Sequence, residues 1–390
     1  MPAPAQRIKH VPPYLFAEID KKRAAAVARG VDVISLGIGD PDLPTPQFVI
    51  ERMQQAVANP QYHRYPDYEG SQAFREAACQ FYRRRWGVVF DPQSQVMALI
   101  GSKEGLAHLI WAYVGPGDVA LVPDPAYPVY RTHTLLAGGE PYPLPLIREN
   151  GFLPDLKAIP EEVARRAKLL FINYPNNPTG AVAPLSFYEE AVAFCRRYDI
   201  LLVSDNAYSE ITFDGYRAPS VFNVPGASEV AVEFWSLSKP FNMTGWRIAF
   251  AAGSSEAISA LGIIKTNTDS GQFTAIQEAA TAALTSPESE RFVAELNEVY
   301  QRRRDLAVAG LRAIGLDASP MKGSFYLWVP VPAGHTSASF ATLLLEQAGV
   351  VVTPGAAYGQ YGEGYIRISL CVKEERLKEA LRRIQKYVKV

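Results

Sequence analysis

The chain has 390 residues, of which 48% are hydrophobic, 20% charged and 11% aromatic, a composition that fits a globular protein of two or three domains of about 150 residues and excludes fibrous and disordered classes. Lys+Arg number 39 against Asp+Glu 40, so no basic excess exists to meet a nucleic-acid backbone or an anionic membrane surface. Cys79, Cys195 and Cys371 are too sparse for a disulfide framework or a C-x-x-C site, which predicts reduced core thiols, and with no apolar leader and no run near the about 18 residues of a membrane span the expected location is the cytoplasm.

Residues before Pro46 hold too little apolar content to fold alone and are expected to pack on another part of the protein or on a partner subunit. Val96–Ile100 then reads as a strand, Leu106, Leu109, Ile110, Tyr113 and Val114 recur at helical spacing, and Val119–Val122 is a strand again. The rhythm continues through strands at Leu169–Ile172, Ile200–Val203, Glu233–Trp235 and Ile248–Ala252, with a helix over Leu185–Tyr198. Short apolar runs without polar alternation suit strands buried on both faces, which predicts a three-layer α/β fold with a mostly parallel central sheet flanked by helices. Prolines group at 41, 44 and 46, at 123, 125 and 128, at 141, 143 and 145, and at 175 and 178, and are expected to mark ordered loops beside the strands. This part spans roughly 46–280. Beyond it, a long polar helix around Glu288–Ile314, alternating strands at Ser324–Val329 and Gly364–Leu370, and a charged C-terminal helix predict a smaller α+β domain over 281–390, with 1–45 as an arm that forms part of it.

Several residues at the ends of these runs carry possible chemistry. Asp205 follows Leu201-Leu202-Val203-Ser204 at the carboxyl end of a buried strand, where open α/β sheets bind ligands, although an isolated aspartate there equally suits a helix N-cap. Lys239, in Ser236-Leu237-Ser238-Lys239-Pro240, offers an amine able to form a Schiff base beside hydroxyls suited to phosphate, and Arg247 supplies a guanidinium for the same anion; the alternative for Lys239 is a solvated loop lysine. Gly101-Ser102-Lys103-Glu104-Gly105 joins a strand to a helix as a phosphate-binding turn would, but does not match a Walker A loop, and Ser102 also suits an N-cap. Gly37-Ile38-Gly39 lacks the third glycine of a dinucleotide fingerprint. Tyr127, in Pro125-Ala126-Tyr127-Pro128, can stack on a flat heterocycle or fill a core, and Asn173–Gly180 holds its amides between prolines. Arg367 alternates with Ile366 and Ile368, either to fork onto a carboxylate or as an exposed edge-strand side chain. The scattered histidines show no metal-ligand spacing and no G-x-S-x-G nucleophile elbow is present.

Taken in order, this set resembles the pyridoxal-phosphate aminotransferases of fold type I, class I/II. Leu36-Gly37-Ile38-Gly39-Asp40-Pro41, His63-Arg64-Tyr65-Pro66, the Gly-Ser-Lys-Glu-Gly turn and Ser236–Trp246 look most like the LL-diaminopimelate aminotransferase branch. The resemblance implies pyridoxal 5′-phosphate as cofactor, with Lys239 as its covalent anchor and catalytic base, Asp205 on the ring nitrogen, Asn177 and Tyr208 on the ring hydroxyl and Tyr127 stacked on the ring. Ser102, Lys103, Ser236, Ser238 and Arg247 would bind the phosphate, joined by Tyr65 from a neighbouring subunit. It further implies that Gly39 and Arg367 hold the substrate carboxylate, with Tyr14, Lys103, Asn177 and Tyr127 on the substrate side. No metal is implied. The expected partners are a small amino acid and a 2-oxo acid, glutamate and 2-oxoglutarate among them, in a ping-pong exchange by a homodimer with shared active sites. Asp269-Ser270-Gly271 lacks an asparagine that part of that branch uses near its phosphate, which leaves the distal substrate contacts open. Aspartate, alanine or aromatic aminotransferases, a β-lyase on the same fold and a cofactor-binding sensor protein share the cofactor residues and stay open as alternatives.

Overall fold

The buried runs assemble into a seven-stranded sheet in the computed structural model, which describes residues 1–11 and 15–387. After a short strand β1 (Ile34–Ser35), the sheet is built from β2 (Val96–Leu99), β3 (Val119–Asp124), β4 (Glu140–Pro145), β5 (Ala167–Ile172), β6 (Leu201–Asp205), β7 (Ala231–Ser236) and β8 (Ala249–Gly253). Their spatial order is β2-β8-β7-β6-β5-β3-β4. The sheet is mostly parallel, as the apolar runs predict; β8 alone runs against both of its neighbours, β2 and β7. Successive residues of a strand serve opposite faces. Leu202 packs with Phe187 and Ala191 of the helix Leu185–Tyr198, whereas Val203 packs with Leu106 and Leu109 of the helix Ser102–Tyr113. Helices therefore cover the sheet on both sides.

One expectation is corrected. Pro141, Pro143 and Pro145 do not mark a loop but lie within β4, which among the described residues is an edge strand paired only with β3. They occupy every second position, so the missing N–H groups all fall on the side without a partner, where no ladder bond is lost.

A second sheet forms from β9 (Tyr326–Pro330), β11 (Thr353–Pro354) and β12 (Tyr365–Ser369), with β12 in the middle, while β10 (Val350–Val351) pairs in parallel with β1. The N-terminal segment is thereby stitched to the C-terminal part of the chain. Leu36 donates to Val351 and accepts from the Ser369 N–H, both at 2.7 Å, and Ile34 and Leu36 share a core with Phe340, Val350, Ile368 and Leu377. This stitching carries Gly37-Ile38-Gly39 to the rim of the large sheet. The middle position of β12 also removes the edge-strand alternative for Arg367, which is only 2% exposed. Cys195 lies in the core, while Cys79 and Cys371 are half-buried, and all three thiols are free. Among the described residues no helix is long and apolar enough to cross a membrane.

Candidate active site

The sheet brings its reactive residues to one rim. Parallel strands β5, β6 and β7 end there at Asn173, Asp205 and Ser236, and β3 leads to Tyr127. Because β8 runs the other way, its start lies at the same rim, and Arg247 just precedes it. The segment at Gly39 closes the cleft from the opposite side, and Arg367 on β12 forms its far wall. The cleft measures about 380 Å³, the size range of a small-molecule site at the carboxyl ends of an open α/β sheet. Ser102, Lys103, Asn177, Tyr208, Ser238 and Lys239 line it as well.

One predicted residue falls elsewhere. Tyr65 is 86% exposed and lines a separate surface groove with His63, Arg64, Ser270, Gly271 and Phe273. Tyr14 lies outside the described residues.

The alternatives for individual residues can now be weighed by their contacts. No helix follows Asp205, so it is not an N-cap. Its Oδ2 accepts a 2.6 Å hydrogen bond from Tyr130 Oη, whereas its buried Oδ1 has no protein partner. Burial pushes the Asp205 carboxyl up to about 6, against the Tyr130 hydroxyl, which holds it down. Lys239 is no solvated loop lysine: its Nζ donates to the Gly39 carbonyl at 3.0 Å, and burial, reinforced by the nearby Arg367 and Arg247 charges, lowers its pKa. A buried amine of lowered proton affinity serves more readily as a nucleophile and a base than a solvated one.

At the phosphate-like end, Gly101 rather than Ser102 caps the helix Ser102–Tyr113, and the Ser102 hydroxyl is buried without a partner. Gly101 has φ +83° and touches Arg247: a Cβ there would lie 2.1 Å from Nη2. Ser236 Oγ accepts from the Ser238 N–H at 3.2 Å. At the other end Arg367 donates to Asn177 Oδ1 at 2.8 Å and to the Gly37 carbonyl at 2.6 Å. Its guanidinium lies 4.0 Å from the Tyr326 ring centre and 4.9 Å from that of Tyr358. Burial keeps the Tyr208 phenol protonated, with its hydroxyl 3.3 Å from that of Tyr326. Gly39 has no room for a side chain, because a Cβ would meet the Tyr326 hydroxyl at 1.8 Å.

Comparison with known proteins decides the family. Residues 31–384 match the family "Aminotransferase class I and II". The chain belongs to that family. It is 58% identical to an LL-diaminopimelate aminotransferase of Moorella thermoacetica, over 98% of this chain and 97% of the relative, and 56% identical to one of Halothermothrix orenii over the same shares. Among solved structures it is similar to substrate-bound BacF from Bacillus subtilis, with a TM-score of 0.95 and 38% identity over 99% of this chain and 98% of that one.

This aminotransferase is therefore an enzyme that depends on pyridoxal 5′-phosphate. Its cleft suits that cofactor. The unpartnered Asp205 Oδ1 is an acceptor awaiting a ring N–H, and the unpartnered Ser102 hydroxyl beside Gly101 and Arg247 makes a donor set for a phosphate. Sequence reasoning missed Tyr130, Tyr326 and Tyr358. Tyr130 sits in the helix Val129–Ala137 as a core aromatic would, stacked on Phe171 at 4.8 Å, and only the distant Asp205 reveals its second task. The alternation that singled out Arg367 could have found Tyr326 and Trp328, which occupy the paired strand β9.

Proposed function

We propose that this aminotransferase exchanges an amino group between LL-diaminopimelate and 2-oxoglutarate by a ping-pong mechanism. The chemistry is carried by one observation: Lys239 and Asp205, whose Oδ1 has no protein partner, line the same cleft as Arg367. The substrate assignment is supported by the full-length identity with the Moorella and Halothermothrix enzymes. Bound pyridoxal 5′-phosphate supplies a carbonyl that condenses with amines and a ring that takes up the electrons released when a Cα–H bond breaks.

The residues divide the remaining work. Lys239 Nζ anchors the cofactor and moves the proton to and from the substrate Cα. Asp205 holds a proton on the ring nitrogen through its open Oδ1. Asn177 and Tyr208 bind the ring hydroxyl, and Tyr127 stacks on the ring. Ser102, Lys103, Ser236, Ser238 and Arg247 bind the phosphate. Arg367 and the Gly39 N–H hold the substrate carboxylate, which fixes the Cα–H bond for Lys239. Tyr208 and Tyr326 tie together by their hydroxyls and shield this end from water.

We further read the enzyme as a cytoplasmic homodimer. Tyr65, exposed on its groove, would reach the phosphate of a second copy. The large cofactor domain spans 46–280, and 281–390 with 1–45 forms the small domain. Incubation with LL-diaminopimelate, aspartate, alanine and aromatic amino acids, each with and without 2-oxoglutarate, tests the assignment. LL-diaminopimelate should be the best donor, and Lys239→Ala should abolish turnover and the absorbance of the lysine-bound cofactor. A rate indifferent to 2-oxoglutarate would rule out transamination, and a better donor among the others would replace the substrate.

A further inference from the structure

Behind the phosphate end of the cleft lies a buried lysine among partly buried carboxylates that the reaction does not use. Lys265, in the helix Ser255–Thr268, is 1% exposed. Its Nζ lies 3.0 Å from both carboxylate oxygens of Asp269 and 3.4 Å from Glu104 Oε1. His108 Nδ1 is 2.6 Å from the same Glu104 oxygen, without hydrogen-bond geometry. Glu104, His108 and Asp269 would offer three metal-ligand atoms within 4.8 Å of one another, but the Lys265 ammonium already stands among them as the cation.

Each carboxylate continues to a backbone. Glu104 Oε2 accepts from the Ile100 N–H at 2.9 Å, which fixes the entry to the turn that presents Ser102 and Lys103. Asp269 Oδ1 accepts from the Gly271 N–H at 2.8 Å. The next residue, Gln272, donates through Nε2 to the Trp246 carbonyl at 3.0 Å and to the Arg247 carbonyl. Arg247 holds φ +52°, a backbone conformation that a non-glycine residue keeps only when its surroundings enforce it. The two halves of the phosphate cradle, the Gly101–Lys103 turn and Arg247, touch each other at Gly101, and behind them both lead to one ammonium.

We propose that Lys265 is a positioning residue for the phosphate end of the cleft, fixing the Ser102–Lys103 turn through Glu104 and the Arg247 backbone through Asp269. A buried ion of this kind specifies one arrangement of the segments it joins, because losing it leaves two carboxylates facing each other. The inference rests on the reading that this end of the cleft holds the cofactor phosphate.

The test compares the cofactor with its dephosphorylated form. Apoenzyme regenerated from the holoenzyme is titrated with pyridoxal 5′-phosphate and with pyridoxal, for the wild type, Lys265→Met and Lys265→Arg. The wild type should prefer the phosphate form strongly; equal affinity for both would overturn the phosphate reading itself. Given that preference, Lys265→Met should weaken binding of pyridoxal 5′-phosphate at least about tenfold while pyridoxal changes less than about twofold, and Lys265→Arg should restore most of the loss. Unchanged phosphate preference in Lys265→Met, or equal loss for both ligands, overturns the inference. If Lys265→Met does not fold, Asp269→Asn, which keeps an acceptor for Gly271, is held to the same criterion.

Discussion

Two buried carboxylates lie on neighbouring strands, and they are finished differently. Glu233 on β7 is paired in register with Ser204, one residue from Asp205 on β6. Glu233 accepts from Tyr82 Oη, Ser204 Oγ and Ser220 Oγ, each at 2.8 Å, and from the Val221 N–H at 3.3 Å. Asp205 lines the cleft and accepts from Tyr130, and its second oxygen is buried with no protein partner. Burial raises the proton affinity of both, and in both the donors pull it back down. Glu233 is thus a satisfied polar group that pins β7 to its surroundings. Asp205 is left incomplete, at a cost to the protein alone that a ligand can offset. Burial and charge do not separate a structural carboxylate from a reactive one; the unfilled lone pair does.

Exchange of each acid for its amide sharpens this contrast most. Asp205→Asn should lower turnover on the order of a hundredfold to a thousandfold, the usual loss when a charge that stabilises a transition state is removed. Glu233→Gln should leave turnover within about twofold of the wild type while lowering stability by about 1–3 kcal/mol, since its amide nitrogen faces the fixed Val221 donor or a hydroxyl. Steady-state rates and urea unfolding of both variants check this. A large rate loss in Glu233→Gln would end the division between the two acids.

The stability of the cofactor-free enzyme gives the next largest effect, with the opposite sign at Asp205. Its carboxyl titrates near 6 in the fold against 3.8 unfolded. The native state therefore binds the extra proton between these values, and stability is lost as pH rises through about 4 to 6. Asp205→Asn removes that loss. The cofactor-free variant should be more stable than the wild type by up to about 3 kcal/mol at pH 8, with the gap narrowing at pH 5. Equal gaps at both values would show that Asp205 does not titrate in this window.

How much of this was legible in the sequence follows from where each residue sits. Asp205, Lys239 and the Gly101–Lys103 turn each follow a buried run, so the strand that carries them also marks them. β4 was hidden because alternate prolines are a loop signal unless the strand lies at an edge, and edge position is a property of the assembled sheet. Tyr130 and Lys265 were hidden for a related reason. Tyr130 finds Asp205 75 residues away and Lys265 finds Glu104 161 residues away, while the local pair of Lys265 with Asp269, four residues on, looks like any ion pair of a solvated helix face. Neither periodicity nor a local motif encodes the two distant pairs.

The smallest effect concerns the hydrogen bond that Asp205 accepts from Tyr130. Tyr130 is fully buried and stacked on Phe171 with planes 15° apart, so Tyr130→Phe preserves the packing and removes only the hydroxyl. The 2.6 Å hydrogen bond favours the ionised carboxylate. Without it the Asp205 carboxyl of the cofactor-free enzyme rises further above about 6, and the acidic limb of cofactor association moves to higher pH. Affinity for pyridoxal 5′-phosphate should fall roughly tenfold near pH 6, worth about 1.4 kcal/mol, and approach the wild-type value near pH 8.5. A deficit of constant size across that range would mean that Tyr130 acts by placing Asp205 rather than by holding it ionised, and would bring the Asp205 site closer to the purely structural one at Glu233.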